Sequence, residues 1–192
     1  MIDNLCFINS LEFAREGAFA KIGLEIEKDI LHKLYTQKAR LKSRMQGDEK
    51  VYYRTTGGRY YDLYTSYTTQ SSKEKSFAAT DSKILVAIMS STLFWWFRNA
   101  YSNGRDSYLY EFESFPIPYF NNILRNNFVN LGMKYEQDLE LNAVYHNGVK
   151  TYYIRKSKSI IDEIDSLLCP LYGLDKKEVD FIINFNLKFR GE

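Results

Sequence analysis

An α+β fold is predicted for this 192-residue chain: a small mixed or antiparallel sheet with hairpins, packed against several helices and closed by a helical C-terminus. Two observations lead to it. Aromatic and β-branched residues alternate around Gly57-Gly58 and around Asn147-Gly148, which is the pattern of β-hairpins. Around them run stretches with apolar residues at helical spacing.

Taken in order, residues from about Glu12 to Met45 have helical spacing through Leu24, Leu31, Leu34, Ala39 and Leu41, with no proline. The cluster "MQGDEK" ends that helix. "VYYRTTGGRYY" and "DLYTSYTT" then read as the first hairpin, and "QSSKEKS" as a polar loop. Asp81 is placed to cap a helix reaching Tyr101, which "SNGRD" closes. "SYLYEFESFPIP" alternates and then meets Pro116 and Pro118, the mark of a short strand leaving a sheet. "YFNNILRNNFVNLGMKYEQDL" reads as a helix and "AVYHNGVKTYYI" as a second hairpin. Two helices finish the chain, the last with Asp175 as its N-cap. No linker or repeat interrupts, so 1–192 reads as a single domain: a helical part over 1–47, hairpins and central helices over 48–155, and a helical pair over 156–192.

Composition narrows the classes of function. The chain holds 16 Tyr, 13 Phe and 2 Trp, an excess that suits half-buried sheets and binding surfaces alike. Net charge is only +2. Yet from Lys28 to Arg59 nine Lys/Arg stand against three acids, while Asp162 to Asp180 is acidic. Such asymmetry either gathers a polyanion on one face or marks solvated helix faces. Cys6 and Cys169, far apart among apolar neighbours, read as reduced core thiols. The start lacks a signal peptide, and the longest apolar stretch, 84–97, is too short to span a bilayer. A soluble cytoplasmic protein without membrane contact is expected.

Most catalytic signatures are missing. There is no Gly-x-Gly, no phosphate loop, no Gly-x-Ser-x-Gly elbow and no Pro-Pro pair, so the Asn-Pro-Pro-Tyr loop of N6-adenine methyltransferases is absent. His32 and His146 are far apart. Asp62 with Asp81-Ser82-Lys83 mimics the acids and lysine of metal-dependent nucleases, but Asp81 has a competing task as a cap. Asp162, Glu163 and Asp165 read as a solvated helix face rather than a metal cluster. No catalytic and no metal-binding residue is assigned.

DNA reading has better physical support. A two-residue turn at Gly57-Gly58 pairs Thr56 with Arg59 and Arg54 with Tyr61, which puts Tyr52, Arg54, Thr56, Arg59, Tyr61 and Leu63 on one face. A ribbon basic at its tip is suited to a groove, and arginine to guanine or phosphate as a planar fork. The competing reading has the arginines solvating the rim. A second patch, "RNAYSNGRD", offers Arg98, Asn103 and Arg105 around a loop that can approach a phosphate backbone. Arg98 has an alternative role as a cation at a helix C-terminus. Lys73 and Lys75 are either phosphate contacts or solubilising charges.

Three segments together carry a resemblance: "VYYRTTGGRYY", "AIMSSTLFWWFRNAYSNGRD" leading to "FESFPIP", and "IIDEIDSLLCPLYGLDKKEVDFIINFNLKFR". They resemble the C-terminal target-recognition (specificity) domain of bacterial Type IIG restriction enzymes, N6-adenine DNA methyltransferases that join nuclease, methyltransferase and specificity domain. The resemblance implies a non-catalytic, DNA-binding restriction-modification module that positions double-stranded DNA for adenine-specific methylation or cleavage. It implies S-adenosylmethionine and Mg2+ in catalytic domains N-terminal to this chain, and those domains as its partners. The alternative is a protein-interaction domain that docks on a methyltransferase or nuclease core without touching DNA.

Overall fold

The computed structural model describes residues 8–15, 18–56, 62–102, 106–146 and 149–187. Among these are helices α1 (Glu25–Tyr35), α2 (Ser82–Ser90), α3 (Thr92–Tyr101), α4 (Leu109–Glu113), α5 (Asn122–Leu141), α6 (Lys158–Leu168) and α7 (Lys176–Ile183). The strands are β1 (Glu49–Arg54), β2 (Tyr64–Thr65), β3 (Glu74–Ala79), β4 (Val144–His146) and β5 (Val149–Thr151). The first three form an antiparallel sheet in the order β2-β1-β3, and the last two pair as a separate hairpin. The chain is therefore α+β.

Strand alternation divides the sheet cleanly. Val51, Tyr53, Tyr64, Phe77 and Ala79 are buried on its inner face, while Lys50, Arg54, Ser76 and Ala78 are exposed on the outer one. Beneath the inner face lies an aromatic core. Tyr53 meets Phe112 edge-on at 5.0 Å, Tyr64 meets Phe94 at 5.8 Å, and Phe115 sits 5.0 Å from both Phe94 and Phe97. These are the edge-to-face spacings that aromatic rings prefer. Much of the aromatic excess thus builds the interior. The run "LFWWF" lies wholly inside it.

Several expected elements take another form, each because of a distant partner. The helix expected over Glu12–Met45 is reduced to α1 and two short 3-10 turns, Leu11–Phe13 and Leu41–Arg44; past α1 the chain is held to a distant segment, with Ile117 N–H donating to Ala39 O (3.1 Å) and Leu41 N–H to Phe115 O (2.8 Å). The helix expected from Asp81 to Tyr101 breaks at Ser91. There Ser91 Oγ accepts from Phe94 N–H (3.0 Å), and buried Asp165 of α6 accepts from Thr92 and Leu93 N–H (2.9 and 3.0 Å), so α3 begins afresh. Asp81 does occupy the position before α2, but its φ is 63° and its carboxylate turns to Arg125 at 2.7 Å. Glu49 caps α2 instead, accepting from the Ser82 N–H (2.8 Å) and hydroxyl.

The expected polar loop runs at its end into β3, whose register on β1 runs from Glu49↔Ala79 to Arg54↔Glu74. The expected strand at 107–115 is α4, with Phe112 buried in the core and Glu111 drawn inward to Arg98. By contrast α5, the β4–β5 hairpin, α6 and α7 lie where the pattern put them, and Asp175 caps α7 by accepting from Glu178 N–H (3.0 Å). The turns at Gly57-Gly58 and Asn147-Gly148 lie outside the described residues.

Candidate nucleic-acid interface

At its C-terminal end β1 is held from two sides. Thr55 N–H donates to Lys73 O (2.8 Å), Ser107 N–H donates to Thr55 O (2.9 Å), and Thr56 forms an antiparallel bridge with Asp106. Segments 57–61 and 103–105, distant in sequence, therefore depart from neighbouring points. Arg98 fastens their roots together. Its guanidinium pairs with Asp62, lies 3.2 Å from Glu111 of α4, and donates to Asp106 O at 3.4 Å. All three charged side chains are withdrawn from solvent, and burial raises the pKa of Glu111 while Arg98 draws it back.

The structure sorts the candidate residues. Arg54 is exposed on the outer face, with Glu74 as its register partner. The Glu74 carboxylate is occupied by the Thr68 hydroxyl (2.6 Å), Thr69 N–H (2.7 Å) and Thr69 hydroxyl. Lys73 and Lys75 are exposed at the same end. Lys75 pairs with Tyr53, so it takes the face opposite to Arg54 and the cations flank the sheet end on both sides. Among the described residues none of these three cations forms an ion pair. Thr56 is half-buried at the bridge to Asp106. Arg59, Tyr61, Asn103 and Arg105 lie outside the described residues.

Arg98 requires a correction. At 6% exposure and with its guanidinium spent on Asp62 and Glu111, it is an internal anchor rather than a surface contact. The free β-ribbon envisaged from the sequence is also revised, because β1 is the central strand and β3 covers its other edge. The observed register, Tyr53↔Tyr64 and Tyr52↔Thr65, is offset by two residues from the expected one. An offset of two preserves the faces, so Arg54 still points outward while Val51 and Tyr53 point in. Leu63, expected beside Arg54, is buried.

Four of the nine cations in the wider basic segment are paired within the molecule. Lys28 lies 3.8 Å from Glu12, Lys33 2.6 Å from Glu178, Lys42 2.9 Å from Glu113 and Arg44 3.8 Å from Asp81. Part of the charge asymmetry is thus internal: Lys33 of α1 meets Glu178 of the acidic C-terminal region. The nuclease-like residues are dispersed among separate pairings, Asp62 with Arg98, Asp81 with Arg125, and Lys83 with Glu136. In the acidic trio, Asp162 pairs with Lys158, Glu163 with Lys134, and Asp165 caps α3.

One feature of this end was not singled out from the sequence. Tyr108 and Tyr110, 43% and 67% exposed, stack on each other with ring centroids 5.6 Å apart and planes 15° from parallel. Tyr108 directly follows Ser107, the residue hydrogen-bonded to Thr55. The signal was present in "SYLYEF", but the same alternation reads as a strand until Glu111 is known to be drawn in by Arg98. No protein-family model, curated protein or solved structure matches the chain.

Proposed function

We propose that this chain is a sequence-specific DNA-recognition module of a restriction-modification enzyme, without catalysis of its own. It would position duplex DNA for N6-adenine methylation or cleavage by domains outside this chain, where S-adenosylmethionine and Mg2+ belong. One observation carries the reading. Arg54 on one face and Lys75 on the other, with Lys73, flank the sheet end, exposed and without ion pairs among the described residues, near Thr56 and Asp106, which border the segments bearing Arg59 and Arg105. Neighbouring carboxylates are already engaged, Asp62 and Glu111 by Arg98 and Glu74 by Thr68 and Thr69, so the cations remain available to an anionic backbone. Arginines in such a place can also read base edges.

The test is binding of the chain to short duplexes across a salt series, followed by fluorescence anisotropy. Replacing Arg54, Lys73 and Lys75 together with Ala is expected to weaken binding. The slope of log K against log salt should fall by about one unit per phosphate contact removed. Unchanged affinity and slope would overturn the assignment. A second reading, docking on a catalytic core, is favoured by Tyr119 and Ile123, 84% and 72% exposed, the first just ahead of α5 and the second in its first turn. Binding to that core lost in Tyr119→Ser, Ile123→Ser, with DNA binding absent throughout, would select it.

A further inference from the structure

We infer that Tyr108 and Tyr110 form a stacking platform for an unpaired nucleobase, so that this sheet end prefers a locally opened strand to perfect duplex. The inference rests on the nucleic-acid reading above and specifies the state of the substrate. Three observations lead to it. The two rings are exposed, and they are nearly parallel, offset on one another at 5.6 Å. Mutual stacking holds the pair in one geometry before any ligand arrives, which lowers the ordering cost of binding. The platform also stands beside the exposed cations: Ser107 is bonded to Thr55, Thr55 to Lys73, and Arg54 precedes Thr55 in the chain.

Aromatic rings and cations recognise different parts of a nucleotide. Lysine and arginine hold phosphate whether the strand is paired or not. A tyrosine ring needs an open base face, and inside a duplex both faces of every base are covered by its neighbours, with only edges shown in the grooves. An exposed ring pair beside a phosphate-binding end is therefore matched to a base that has left its stack. Tyrosine serves here through its ring, so phenylalanine should replace it and alanine should not.

Anisotropy titrations with three labelled probes of one sequence, a perfect duplex, the duplex with a two-nucleotide bulge, and the single strand, test this directly. The unmodified chain is expected to bind the bulged probe about 5- to 150-fold more tightly than the perfect duplex, the range of a stacked base. Y108A/Y110A should lose that preference while keeping its affinity for perfect duplex, and Y108F/Y110F should keep both. Equal affinity of the unmodified chain for bulged and perfect duplex would overturn the platform and leave the DNA reading standing. A preference that survives in Y108A/Y110A would overturn it as well. Failure to bind any of the probes would remove the DNA reading and the platform with it.

Discussion

Glu49 shows how much one carboxylate can contribute when it reaches across the fold. It stands at the start of β1 and accepts the Ser82 hydroxyl and N–H, closing the first turn of α2. Those two hydrogen bonds hold its pKa below the ordinary 4.5, against a smaller opposing effect of burial. A carboxylate with a depressed folded-state pKa gives stability that is present above its unfolded value and lost as pH falls through the folded one. Urea denaturation between about pH 7 and pH 3 should therefore show Glu49→Gln less stable at neutral pH, with the gap closing on acidification below 4.5. A gap independent of pH would contradict the cap. Asp175 does the same task for α7, and its partner Glu178 lies three residues away. That is why the second cap could be read from sequence and the first could not: Ser82 is 33 residues from Glu49.

Among the elements, α2 and α5 approach so closely that one residue decides the contact. A Cβ built on Gly132 of α5 would lie 2.2 Å from the carbonyl oxygen of Lys83 in α2. At an exposed helical site, glycine to alanine stabilises by about 1 kcal/mol. Here Gly132→Ala should destabilise instead, by about 1–3 kcal/mol as the helices are forced apart, which thermal or urea unfolding will measure. The elements recovered from sequence, α5, α6, α7 and the β4–β5 hairpin, are those whose periodicity and caps are local. Those read differently are settled elsewhere in the chain. Asp165 splits α2 from α3, β1 recruits "EKSFAA" into β3 although only Phe77 and Ala79 of it are buried, and Arg98 draws Glu111 into α4. Local propensity is a weak prior against a six-residue ladder or a buried ion pair.

Across the whole molecule, Arg98 joins sheet, helices and surface segments. Removing it would leave Asp62 and Glu111 as carboxylates in a largely dry interior. Breaking such a pair costs about 3–5 kcal/mol. Arg98→Ala is expected to lose stability in that range by urea denaturation. Arg98→Lys should recover little, because a single ammonium does not reproduce a planar fork reaching two carboxylates and the Asp106 carbonyl. Arg54 was legible in sequence from its hairpin pattern, whereas Lys73 and Lys75 read as charges of a polar loop and reach the same sheet end only because β3 pairs with β1. The candidate site was illegible where burial decides: the sequence of α3 offers no sign that Arg98 faces inward, or that Tyr108 and Tyr110 face out. The anchoring also has a consequence for change. Thr56, Asp62, Ser102 and Asp106 each carry a bond to Arg98, to Lys21 or to one another. A change at Asp62 is thereby felt at Arg98, 36 residues along the chain, and through it at Asp106.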